Sequence, residues 1–136
     1  MFFKKQTKKK ENNFLIKVCA LLIHAAKIDE KYTNKEEKII EKTLFELGVI
    51  KEDVSKIIEK AKVIEDNSSQ ILDFTKEVKN LSHKDKIKIV EALWSIIYSN
   101  KDADLYETNL MRRLAGLLYI DSKTMGDIKE KIKKEN

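Results

Sequence analysis

The chain has 136 residues, 38% of them charged, and a formal net charge of +5. That length is one domain's worth and buries a core without covalent staples. A single cysteine excludes an internal disulfide, and the absence of proline with only three glycines leaves polar caps as the main punctuation of a helix-rich composition.

The first ten residues carry Lys4, Lys5, Lys8, Lys9 and Lys10 and no acid. Taking these five from the 28 basic residues leaves 23, which matches the 23 acids, so all of the excess charge sits in this stretch. Residues 1–12 are therefore read as a basic, flexible arm ahead of a helical domain over 13–134. A lysine-rich arm that begins with two aromatics can rest reversibly on anionic lipid, and the alternative is a solvated tail. Nucleic acid is not expected as a partner, because the arm lacks arginine and no helix shows a one-sided basic stripe with a reading motif.

Seven helices follow from apolar spacing and caps. The first runs from about Asn13 to Lys27 with Leu15, Val18 and Leu22 on one face. Its apolar stretch follows lysines as in a signal peptide, but Lys17 and His24 interrupt it and it is too short to span a bilayer. Cys19 within it reads as a buried, reduced thiol of a cytoplasmic protein.

The second helix starts after Thr33 and stops at Gly48, a left-handed terminator. The third follows Val49 and Ile50 and carries Val54, Ile57, Ile58 and Ala61. A loop around Asp66–Ser69 leads to the fourth, with Ser68 or Ser69 as its cap. Ser82 opens the fifth, helped by Asp85. This helix is the most apolar of the set, with Ile89, Val90, Leu93, Trp94 and Ile97, and is expected at the centre. The sixth spans Leu105 to about Leu118 and the seventh about Ser122 to Lys134. No stretch alternates at period two, so the expected fold is all-α, a compact bundle of about seven helices.

Two acidic bends organise this chain. The first holds Asp29, Thr33 and Glu36; the second, 71 positions later, holds Asn100, Asp104 and Glu107. The same shift lays Leu22 on Leu93, Ile39 on Leu110, Leu47 on Leu118 and Val49 on Ile120. A helix–bend–helix unit thus occurs twice, which implies an internal pseudo-twofold repeat.

Around these bends the residues resemble a known family. Ala20-Leu-Leu, Ala25-Ala26, Asp29, Tyr32-Thr33 and Glu36 are similar to the first signature of the TerB-like (tellurite resistance protein B) domain. Glu91-Ala-Leu-Trp94, Tyr98, Asp104, Glu107 and Met111-Arg-Arg113-Leu-Ala115-Gly-Leu-Leu118 are similar to the second. Phe74-Thr75 matches a pair found in small stand-alone proteobacterial members. The resemblance covers about 14–132 and implies a seven-helix bundle with internal symmetry, a role in tellurite and stress resistance, and divalent metal at the acidic bends. The chain departs from the family where Glu30 and Lys101 replace the usual glycines and Asn100 the usual Asp.

On that resemblance the metal set would be Asp29, Glu36, Asn100, Asp102, Asp104 and Glu107. Oxygen-only ligands favour Ca²⁺ or Mg²⁺ over Zn²⁺. Asn100, Asp102 and Asp104 open like an EF-hand, but Leu105 and Met111 stand where Gly and Glu belong, so no EF-hand is expected. Helix capping accounts for Thr33, Glu36, Asp104 and Glu107 without any ligand, though less well for Asp29, Asn100 and Asp102. Tyr32 and Tyr106, with Tyr98, form an aromatic set at the bends. Arg112 and Arg113 are candidates for partner binding, or for pairing with Glu91 or Glu107. His24 and His83 lie on separate helices without ligand spacing. The paired acids alone motivate a hydrolase, with no Ser/His/Asp order, phosphate loop or zinc motif beside them.

The expected function is a non-enzymatic stress-response interaction module with a protein partner and no small-molecule substrate. The alternative is a scaffold peripheral to the inner membrane that uses the basic arm.

Overall fold

The computed structural model describes residues 2–27, 34–68, 71–99 and 105–135; for 2–12, 77 and 105–108 it describes the backbone alone. Among the described residues seven helices follow in order: α1 (Phe2–Lys27), α2 (Asn34–Glu46), α3 (Lys51–Asn67), α4 (Leu72–Val78), α5 (His83–Tyr98), α6 (Leu105–Leu117) and α7 (Ser122–Glu135). Among the described residues there is no strand, and the all-α bundle is as expected.

The spacing of 71 persists in the helix ends. α2 and α6 start and stop at equivalent positions, α1 ends where α5 ends, and α3 starts where α7 starts. Packing repeats as well, with α1 against α3 in one half and α5 against α7 in the other. Even the terminators match. At the end of α2, Gly48 N–H donates to Phe45 O (3.0 Å) and Val49 N–H to Leu44 O (2.9 Å). At the end of α6, Tyr119 N–H donates to Gly116 O (3.3 Å) and Ile120 N–H to Ala115 O (2.9 Å). Both are Schellman turns, which satisfy the last carbonyls of a helix and need a left-handed residue at the turn.

Gly48 supplies that residue at φ 98°, as its chemistry predicts, whereas Tyr119 adopts φ 57°. A left-handed non-glycine residue costs about 1–2 kcal/mol. Lys79 and Lys86 place their ammonium groups 5.9 and 5.8 Å from the Tyr119 ring centroid. Two cation–π contacts, worth about 0.5–1 kcal/mol each, are of the size needed to offset that cost.

Two helices lie at the centre, where sequence alone points to one. In α1 the six consecutive residues Val18, Cys19, Ala20, Leu21, Leu22 and Ile23 are all fully buried, so this stretch of the helix is enclosed on every side. It packs on α2, α3, α4 and α5. In α5, Ile89, Val90, Leu93, Trp94, Ile96 and Ile97 are likewise buried. Phe74 and Val78 from the short α4 close the core over α1.

Two details differ from the sequence reading. α1 begins at Phe2 rather than near Asn13, so the backbone of the lysine-rich segment is helical where a flexible arm was expected. Lysine, glutamine and glutamate are good helix formers, and no glycine or proline interrupts the run. Ser68 does not cap α4; it is the C-cap of α3, and its hydroxyl donates to the Asp73 carboxylate. Ser69 lies outside the described residues. Ser82 does cap α5, accepting from Asp85 N–H at 3.2 Å.

Candidate functional site

The flanks of the two acidic bends are built from four helix ends. α1 finishes at Lys27, whose ammonium donates to Glu65 (2.7 Å) and Asp66 (2.6 Å) near the end of α3. Those two carboxylates, Asp66 first, hold the lysine pKa above its ordinary value. His24, one turn earlier, has Nδ1 3.3 Å from Glu65. The approach to the first bend is thus pinned to α3 by a partly buried network centred on Glu65, with Asp66 at its exposed edge.

Beyond the bend, α2 opens with Asn34, Lys35 and Glu36. Lys35 Nζ donates to the carbonyl of Ser99 at 3.2 Å. Ser99 is the buried residue that ends α5, and its hydroxyl turns back onto Ile96 O. This bond joins the far flank of the first bend to the near flank of the second. Lys35 had no role in the sequence reading. The only signal for it was its place beside Glu36 at the start of an element.

Glu36 is fully buried. It is the third residue of α2, the position from which a capping-box carboxylate reaches back towards the cap, and the positive end of the helix dipole favours its charge there. Glu107 is the third residue of α6, so the backbone of the second half repeats this placement. Asp29, Tyr32, Thr33, Asn100, Asp102 and Asp104 lie outside the described residues, as do the side chains of Tyr106 and Glu107.

Of the six expected oxygen ligands, Glu36 therefore supplies the only described side chain. Among the described residues no group of three or more His, Cys, Asp or Glu side chains is placed to hold a metal ion. The donors in the expected set remain carboxylates and an amide, which is the chemistry of a hard cation.

Arg112 and Arg113 are both exposed on α6. Of the two carboxylates expected to pair with an arginine, the side chain of Glu107 is not described and Glu91 pairs elsewhere. Glu91 Oε2 instead meets Lys131 Nζ at 3.4 Å, because α7, which carries that lysine, packs directly on α5. Tyr98 stacks on Trp94 with ring centroids 5.8 Å apart. Burial, and then the Glu130 charge, push the Tyr98 phenol up. Lys4, Lys5, Lys8, Lys9 and Lys10 occupy the first turns of α1, and their side chains are not described. No described helix is long and apolar enough to cross a membrane.

In a comparison with protein families, the family described as tellurite resistance protein TerB matches residues 15–130. The chain belongs to the TerB family. The TerB match runs from the second half of α1 to α7 and so takes in both bends and both copies of the repeat. No curated protein and no solved structure matches the chain.

Proposed function

We propose that this TerB-family chain is a non-enzymatic binding module whose paired acidic bends form its working face. The observation that carries the reading is the Lys35–Ser99 bond, which draws the described flanks of the two bends together across 64 positions of chain. Family membership supports a role in tellurite or stress resistance.

In this reading Asp29, Asn100, Asp102 and Asp104, with Glu36 and Glu107, hold a divalent cation, Ca²⁺ or Mg²⁺ rather than Zn²⁺. The cation would neutralise the carboxylates and fix the two bends relative to each other. Tyr32, Tyr106 and Arg113 complete a surface for a protein partner.

Calorimetric titration of the chelator-treated protein with Ca²⁺ and Mg²⁺ tests the proposal. The expected result is a saturable heat that Asp29→Ala and Asp104→Ala each abolish while the far-ultraviolet circular dichroism stays unchanged. Absence of heat with either cation would reduce the carboxylates to helix caps and remove the cation from the function.

A further inference from the structure

A cleft of about 220 Å³ opens between α5, α6 and α7. Trp94, Met111, Ala115 and Met125 supply apolar lining. Arg112 and Lys129 bring two positive charges, Ser122 a hydroxyl, and among the described residues no Asp or Glu lines the space. Trp94 is 2% exposed, and its indole N–H is buried without a hydrogen-bond acceptor. Lys129 lies over that same ring, with Nζ 5.4 Å from the centroid.

The internal repeat provides a control within the molecule. Seventy-one positions earlier, Ala115 corresponds to Leu44, Gly126 to Ser55 and Lys129 to Ile58. Leu44 and Ile58 are buried in the core of the first half. The same fold position is therefore compatible with apolar packing. In the second half two smaller residues and a lysine stand there instead. Charge changes as well, since Arg112 replaces Glu41. An open volume and two cationic side chains thus meet at one place that the architecture does not require to be open.

We infer that this cleft binds a small organic carboxylate with an aromatic or branched apolar body. Apolar side chains receive the body, and Arg112 and Lys129 receive the carboxylate, the anion that guanidinium and ammonium groups recognise most directly. A bare phosphate would leave the methionines and Trp94 without contact. The site stands independently of the acidic bends.

Trp94 is the chain's single tryptophan and reports directly on the cleft. The test is titration with 3-phenylpropionate, followed by tryptophan fluorescence and by calorimetry, with the uncharged 3-phenylpropan-1-ol as control. The expected result is saturable binding of the acid, with the alcohol weaker by about tenfold or more. Arg112→Gln and Lys129→Gln, both surface changes that leave the core intact, should each weaken the acid by about tenfold. Gly126→Leu, which fills the cleft, should abolish binding with helicity retained. Equal binding of acid and alcohol, no saturable binding, or binding indifferent to all three substitutions would overturn the inference.

Discussion

At the scale of single residues, burial decides what Cys19 can do. Its thiol is fully enclosed in α1, and desolvation pushes its pKa up to about 12, with Lys62 lowering it and Glu37 raising it to smaller degrees. Folding therefore favours the neutral thiol. Above the ordinary value of 9.0 the unfolded chain releases a proton that the folded chain keeps, so stability falls as pH rises from there towards about 12. The urea midpoint should drop between neutral pH and about pH 10, and more steeply than in Cys19→Ala, which lacks this ionisation. Equal slopes for the two proteins would mean the thiol is open to solvent. The same enclosure makes Cys19 a packing residue, as its place in an apolar run suggests.

At the scale of elements, helix ends and helix interiors ask opposite things of glycine. Gly48 ends α2 in a left-handed conformation, so Gly48→Ala should cost about 1–2 kcal/mol even though a β-carbon there meets nothing within 4 Å. Gly126 lies inside α7 with equal room around it, and Gly126→Ala should gain about 0.5–1 kcal/mol. Chemical denaturation of the two variants checks both signs. Loss in both would show that space rather than backbone conformation governs these positions. Gly48 was legible as a terminator because glycine at a helix end has one dominant explanation. Tyr119 was not, because a tyrosine carries no such signal, and its left-handed backbone emerges only from alignment with Gly48 and from the lysines around its ring.

At the scale of the whole molecule, the repeat does not make two separable halves. α1, from the first copy, packs on α4 and on α5 of the second, and α2 also packs on α5. Burial is shared across the duplication, so unfolding should be a single transition. Melts followed by circular dichroism and by Trp94 fluorescence should coincide. If the tryptophan signal changes at a different temperature, the α5–α7 unit unfolds separately and the shared core is not cooperative. This coupling also bears on the proposed elbow face, since helices anchored in one core hold the flanks of both bends.

By itself the sequence determined the helical class, nearly all of the helix limits and the repeat of 71, since these follow from local spacing, caps and terminators. It also displayed the acids of both bends, though not which elements would stand beside them. Only tertiary structure decided that residues 18–23 of α1 are enclosed on all sides, that Lys35 reaches Ser99, that Glu91 pairs with Lys131 instead of an arginine, and that a cleft opens beside Trp94. The physical reason is the same in each case. These features depend on which helix faces meet, and that is set by packing between residues dozens of positions apart, beyond the reach of any local pattern.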